Sequence, residues 1–203
     1  MAATASVTDR LFALGEPFIE AHAAHPTVQG LVSGTLPESV ARSWLEQDYL
    51  FLHEEVRALA RLAWQAPPDH QPDVLSLLCG VVQDEIPRHR ELAAPFEPDF
   101  EDAVMGDPGR AYTTWLLDTA ADYSMGLTAL LAGLWGYSTL GARLDVPDEP
   151  RFATWVESYK SPGFPLLAGR FAAMVDELDL DPDRALSVFL AGLAHGIAFW
   201  ETP

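Results

Sequence analysis

Apolar residues recur three and four positions apart along most of the chain, and strand-like alternation is weak throughout. This spacing is that of an amphipathic α-helix with one buried face. It predicts eight helices, at about Val7–Ala24, Pro37–Gln65, Pro72–Leu92, Pro108–Asp122, Ser124–Leu144, Arg151–Tyr159, Pro165–Leu178 and Asp181–Trp200. Short polar connections favour antiparallel neighbours, so we expect an all-α, mainly up-and-down bundle in a single domain over residues 1–203.

Prolines mark several of the predicted helix boundaries. Pro108 lies in a first turn, and Asp181 followed by Pro182 has the pattern of a cap and a first-turn proline. Pro87 instead falls inside a periodic segment, where it removes a backbone donor and clashes with the preceding turn. We therefore expect a kink or a break near Glu85.

Charge and cysteine content narrow the possible partners. The chain has 12 Lys and Arg against 30 Asp and Glu, for a net charge of −18, so no basic stripe exists for nucleic acid or an anionic membrane. The apolar run Met125–Trp135 is too short to span a bilayer. The one cysteine, Cys79, cannot form an internal disulfide and has the setting of a small buried hydrophobe, and the absence of a secretory segment predicts the cytoplasm.

Two polar side chains fall on faces that should be buried. Asp48 shares the apolar face of the second predicted helix with Leu45, Leu52 and Glu55. A buried carboxylate needs a partner, so Asp48 either makes a structural bond or binds a ligand. Tyr137 faces inward in the same way, and its hydroxyl needs a partner whether the aromatic stripe is core or pocket.

Carboxylates and histidines could also meet in the core as metal ligands, as they do in di-iron bundles. Glu85 and His89 are four apart on one helix, and the candidates on other helices are His53, Glu54, Glu55 and His195. The pairing of carboxylate and histidine that each helix of such a site supplies is missing, so we expect no metal and no cofactor.

Segments along nearly the whole chain resemble the TenA (thiaminase II) family. The resemblance begins with His25-Pro26-Thr27-Val28-Gln29-Gly30, Gly34-Thr35-Leu36-Pro37 and Trp44-Leu45-Glu46-Gln47-Asp48-Tyr49. Further segments follow in the family's order: Glu85 and His89, Ala111-Tyr112-Thr113, the helix with Trp135 and Tyr137, Trp155-Val156-Glu157-Ser158-Tyr159, and Phe199-Trp200.

The resemblance implies a haem-oxygenase-like bundle that forms a homodimer or homotetramer and acts as a thiamin-salvage hydrolase. Its substrate would carry the 4-amino-2-methylpyrimidine ring. By the same resemblance, Asp48 hydrogen-bonds the aminopyrimidine. The other residues implied to bind the ligand are Phe51, Tyr112, Tyr137, Tyr159 and Phe199.

Two positions depart from the family's pattern. The usual catalytic cysteine is replaced by Gly133, and the usual acid/base glutamate by Gly196, so the covalent route lacks its nucleophile. His195 or Glu201 could act as a substitute base. With Gly192 one turn before Gly196, we expect an enlarged pocket that takes a ligand larger than the simple pyrimidine.

Three functions stay open at this point. The first is a hydrolase of unusual subtype that acts on a pyrimidine breakdown product, with Asp48, Tyr137 and His195 as candidate catalytic residues. The second is a non-catalytic binder of a small heterocycle on the same fold. The third is a metal-dependent oxidase on a haem-oxygenase-like bundle.

Overall fold

The fold is helical throughout the part of the chain that the computed structural model describes, residues 6–201, which contains no strand. The helices are α1 (Val7–Ala24), α2 (Pro26–Val32), α3 (Glu38–Gln65), α4 (Gln71–Gly80), α5 (Ile86–Ala93), α6 (Asp107–Thr119), α7 (Tyr123–Arg143), α8 (Pro150–Tyr159), α9 (Gly163–Asp176) and α10 (Pro182–Phe199). The all-α prediction is confirmed, and most of the predicted boundaries lie within a few residues of these ends.

Side chains that accept hydrogen bonds from free backbone amides stabilise the starts of several helices, among them α1 and α10. The Asp181 carboxylate accepts hydrogen bonds from the Asp183 and Arg184 amides, with Pro182 in the first turn, as the sequence predicted. Ser6 and Asp9 form a reciprocal capping box at the start of α1. These caps fix where α1 and α10 begin.

The break expected near Glu85 is present and has a defined form. Between α4 and α5 the chain makes a π-helical turn, Val81–Glu85, and α5 begins at Ile86 with Pro87 in its first turn. Proline has no amide hydrogen with which to continue the hydrogen bonds of the preceding helix. The wider π-helical turn accommodates the missing bond. The turn brings Val81 and Glu85 to the edge of an internal cavity.

The short helix α2 was not predicted. His25 ends α1 in an extended conformation, and its Nδ1 accepts a hydrogen bond from the Thr27 amide 3.2 Å away. Pro26 then occupies the first turn of α2. A histidine cap is a weak sequence signal, which is why this segment appeared to be a connection.

The long helix α7 lies in the core and packs against α1, α3, α6, α8, α9 and α10. Its Met125–Trp135 segment is mostly buried, as expected for a core helix. Gly141 permits the close approach of α8, because a Cβ there would collide with the backbone carbonyl of Tyr159. This contact sets the position of Tyr159 relative to α7.

The expectation for Cys79 was wrong, because its side chain is exposed on α4. The apolar neighbours that suggested burial lie along a helix that packs mainly on α3, which leaves its other side in water.

Within residues 6–201, no helix is both long and apolar enough to cross a membrane.

Candidate functional site

A cavity of about 300 Å³ lies among α3, α6, α7, α8 and α9, beside the π-helical turn. Its volume is at the lower end of the range of small-molecule sites. Five of the residues predicted from the sequence line it together: Asp48, Phe51, Tyr112, Tyr137 and Tyr159. The other two, His195 and Phe199, are not among its lining residues.

His89 contacts the Asp48 carboxylate on the side away from the cavity. The Asp48 Oδ2 atom lies 3.2 Å from Nδ1 of His89, and the opposite ring atom, Nε2, lies 2.8 Å from the Leu45 carbonyl oxygen. The imidazole is 5% exposed and the carboxylate 24% exposed, so the pair lies in the cavity wall with only Asp48 reaching the cavity. Asp48 therefore has a structural partner and also faces the candidate ligand space.

Glu55, which the sequence suggested only as a possible metal ligand, is a cavity residue. It lies two helical turns after Asp48 on the same face of α3 and lines the cavity. Burial, followed by the negative charges of Glu85 and Asp48, raises the pKa of Glu55 from 4.5 to about 8. Its carboxyl group is therefore neutral at pH 7 and can donate a proton.

At the rim of the cavity, unlike at the buried Glu55, the charged groups are exposed and form an ion pair. Glu85 accepts a hydrogen bond of 2.8 Å from Arg88, and both side chains are about half exposed. An exposed pair of this kind contributes little to stability. It does place one positive and one negative group at the cavity's edge.

Three tyrosine hydroxyls in the cavity keep their protons. Burial raises the pKa of Tyr112, Tyr137 and Tyr159 well above the ordinary value, and nearby negative charges add to the effect. The Tyr159 oxygen accepts from Nε1 of Trp155 at 3.2 Å, so its own hydrogen is left for another acceptor. Within residues 6–201, the Tyr112 and Tyr137 hydroxyls have no protein hydrogen-bond partner.

Two aromatic pairs form apolar parts of the wall. The Phe51 and Tyr112 rings are 4.8 Å apart, and the Tyr137 and Tyr159 rings are stacked at 5.5 Å. Phe199 packs behind the first pair, 5.5 Å from Phe51 and 6.4 Å from Tyr112. It thus supports the wall and does not face the cavity.

The structure does not place the two candidate substitute bases in the cavity. The His195 ring stacks on that of Tyr112 at 5.4 Å and lies tilted against that of Trp115 at 4.9 Å, and His195 does not line the cavity. Its position on α10 turns it toward α6. Glu201 is exposed beyond the end of α10, where its charge acts on His25.

The expected enlargement of the pocket at Gly196 was wrong. A Cβ at Gly196 would lie 3.1 Å from Cε1 of His22, so the imidazole of α1 already fills that space. Gly192 is likewise closed in, since its Cβ would lie 2.8 Å from that of Ala132. Of these three glycines, Gly133 is the one that lines the cavity, and an added Cβ there would meet nothing nearer than the Tyr112 hydroxyl at 3.6 Å.

His22 has an internal role next to Gly196. Trp200 Nε1 donates a 3.0 Å hydrogen bond to His22 Nδ1, and His22 Nε2 then donates to the Leu193 carbonyl at 3.3 Å. Burial lowers the pKa of His22 to about 4, and the backbone bond to Leu193 only partly opposes this. The ring is therefore neutral and ties α1 to α10.

The metal-ligand set considered from the sequence is not assembled. Within the part of the chain that the structure describes, no three His, Cys, Asp or Glu side chains are grouped to hold an ion. Both ring nitrogens of His89 are already engaged, by Asp48 and Leu45. The third alternative function thus lacks its ligands among the described residues.

Comparisons with known proteins agree with the fold. A sequence model of the TENA/THI-4/PQQC family matches residues 15–202. A Halalkalibacterium halodurans protein named aminopyrimidine aminohydrolase is 29% identical over 177 residues, covering 82% of this chain and 79% of that protein. One of the same name from Helicobacter pylori is 23% identical, covering 88% and 89%. The solved structure of a TenA homologue from P. horikoshii OT3 matches with a TM-score of 0.89 at 26% identity and covers 97% of both chains.

Proposed function

Because the chain belongs to the TENA/THI-4/PQQC family, we propose that it binds an aminopyrimidine in this cavity and hydrolyses a carbon–nitrogen bond of the group at the ring's five-position. Such a reaction is a step of thiamin salvage. The relatives named aminopyrimidine aminohydrolase support the reaction class. One observation carries the proposal: Asp48 and Glu55, on one face of α3, both line a cavity with aromatic walls.

Binding follows from the shape and polarity of the wall. A flat heteroaromatic ring fits against the Phe51 and Tyr137 side chains, which offer apolar faces. Asp48 accepts a hydrogen bond from the exocyclic amino group. The Tyr137 and Tyr159 hydroxyls keep their protons and donate to ring nitrogens, which are acceptors.

Glu55 supplies the proton that hydrolysis requires. It is neutral below a pH of about 8 and donates its proton to the departing amine as the bond between the methylene carbon and nitrogen breaks. The resulting carboxylate accepts a proton from the water whose oxygen bonds to that carbon. The products are an alcohol and the free amine, and Glu55 is again protonated.

This route needs no covalent intermediate on the enzyme. Gly133 has no nucleophile to offer, and the one cysteine of the chain, Cys79, is exposed and does not line the cavity. Glu55 approaches the ligand from α3 and replaces, in function, the carboxylate that Gly196 cannot supply. This is the sense in which the subtype is unusual.

A binder without turnover is the second candidate, and Gly133 is the observation that favours it. Replacing a nucleophile with glycine leaves room beside Tyr112 and keeps the binding residues in place. Such a protein would hold the same ligand on Asp48 and release it unchanged. Turnover separates the two candidates.

The test is the release of ammonia from 4-amino-5-aminomethyl-2-methylpyrimidine. We expect turnover by the wild type and a loss of about 10²–10⁴-fold in kcat in Glu55→Gln, which keeps the shape but not the proton. Glu54→Gln is the matched control, because Glu54 is the neighbouring residue of α3 and pairs outward with Arg57. Equal turnover in Glu55→Gln and the control would overturn the role of Glu55, and binding without turnover by the wild type would favour the second candidate.

Assembly and location stay predictions. A homodimer or homotetramer and a cytoplasmic location were implied by the sequence, and the structure describes one chain. Light scattering of the purified protein checks the first: a mass of two or four chains supports it, and a mass of one chain contradicts it.

A further inference from the structure

His89 occupies a position with one defined arrangement of protons. Its Nε2 lies 2.8 Å from the Leu45 carbonyl oxygen, which can only accept. Nε2 therefore carries a hydrogen in every protonation state that keeps this bond. The state of the histidine is then decided at Nδ1, which faces Asp48.

The contact between Nδ1 and Asp48 Oδ2 requires a proton. Without one, a lone pair on Nδ1 would face a carboxylate oxygen at 3.2 Å, and both groups would repel. With one, the pair is an imidazolium beside a carboxylate joined by a hydrogen bond. The second oxygen, Oδ1, has no protein donor among residues 6–201, and Asp48 lines the cavity.

The surroundings favour the protonated pair. Burial by itself would lower the pKa of His89, but the hydrogen bond and charge of Asp48, with smaller contributions from the Leu45 carbonyl and Glu85, raise it overall. Tyr49 and Phe100 place rings about 6.3 Å from the imidazole. The charged and titratable groups around the pair include Tyr49, Glu55, Glu85, Arg88, Arg90, Tyr137 and Tyr159.

We infer that His89 is a positioning residue whose proton, shared with Oδ2, fixes the Asp48 carboxylate so that Oδ1 accepts from the ligand's amino group. This inference rests on the proposed aminopyrimidine function. It has a direct consequence: ligand affinity falls as the pH rises through the titration of His89, because the unprotonated ring no longer holds Asp48 in place.

The test is calorimetric titration with 4-amino-5-hydroxymethyl-2-methylpyrimidine between pH 6 and 9. For the wild type we expect Kd to rise about tenfold or more over this range. His89→Gln keeps an amide donor for the Leu45 carbonyl, but it has no second donor for Asp48 and cannot be charged. We therefore expect weaker binding at pH 6 and no change of Kd with pH that belongs to His89. Protonation of the probe itself is common to all proteins and cancels in the comparison.

Two further variants isolate His89. His70→Gln is the matched control, since His70 is equally buried and also uses both ring nitrogens, on Tyr123 and Glu177, but lies outside the cavity. It should keep the wild-type profile. In Glu55→Gln, Kd should still rise with the titration of His89, and any change of Kd with pH that is due to Glu55 should be lost.

The outcomes distinguish this inference from the proposed function. Wild-type binding with the same Kd and the same pH profile in His89→Gln overturns the role of His89 and leaves the proposed function standing. No wild-type binding overturns both. If His89→Gln does not fold, the imidazole resonances of the wild type decide: a His89 pKa below the ordinary 6.5 contradicts the inference, and one above it supports it.

Discussion

Replacing Glu55 with glutamine should stabilise the protein while it removes the proton donor. The folded state holds this carboxyl with a pKa of about 8, against 4.5 for the ordinary group. Between these values the unfolded chain gives up the proton and the folded chain keeps it, so the unfolding free energy falls as the pH rises. An uncharged amide has no such dependence.

The size of this change in unfolding free energy follows from the difference between the folded and unfolded pKa values of Glu55. For each pH unit above 4.5, the free energy of unfolding of the wild type falls by about 1.4 kcal/mol, until Glu55 ionises in the folded state. At pH 7 the accumulated cost is about 3 kcal/mol, and it levels off above a pH of about 8. Glutamine has nearly the same shape, so the variant should recover most of this free energy.

The assay is urea unfolding of the wild type and Glu55→Gln at several pH values from 4.5 to 8.5. The difference in unfolding free energy should be small at pH 4.5 and grow steadily toward pH 8. Glu54→Gln, one residue earlier on α3, should stay within about 0.5 kcal/mol of the wild type, because its exposed pair with Arg57 contributes little. A difference for Glu55→Gln that does not change with pH would refute the raised pKa and with it the acid role.

Three other predictions concern the packing of α10 on α1, the protonation of His22 and the position of Tyr159. Gly196→Ala should destabilise the protein by about 1–3 kcal/mol in thermal unfolding, because the new methyl group meets His22, whereas Gly133→Ala should be neutral or slightly stabilising. Because His22 is neutral in the folded state, with a pKa of about 4, stability should fall as the pH drops from 6.5 toward 4, by up to about 3 kcal/mol, and His22→Gln should remove this part of the acid sensitivity. Gly141→Ala should displace Tyr159 and weaken ligand binding, measured by calorimetry; unchanged affinity would contradict the proposed contact of Tyr159 with the ligand.

Local sequence signals were enough to predict most of the fold. Helical periodicity, the cap at Asp181 and the misplaced Pro87 each act within a few residues, and the structure confirms the helices and the break that they imply. The family resemblance is confirmed by the match over residues 15–202. The short helix α2 was not predicted, because its N-terminal cap is a histidine.

The site was predictable only in part, because its chemistry depends on contacts between distant segments. Spacing placed Asp48 and Glu55 on one face of α3, but Glu55 was considered only as a possible metal ligand. Its raised pKa, however, comes from burial under other helices and from the charge of Glu85. Likewise, nothing near Gly196 in the sequence indicates that His22 of α1 fills the adjacent space.

Above all, we propose that the cavity holds an aminopyrimidine on Asp48. The most direct test is calorimetric titration of 4-amino-5-hydroxymethyl-2-methylpyrimidine into the wild type and Asp48→Ala at pH 7. We predict one site per chain in the wild type and an affinity at least about tenfold lower in the variant, as expected for the loss of a hydrogen bond to a charged group. No binding to the wild type, or equal affinity in the two proteins, would contradict the claim.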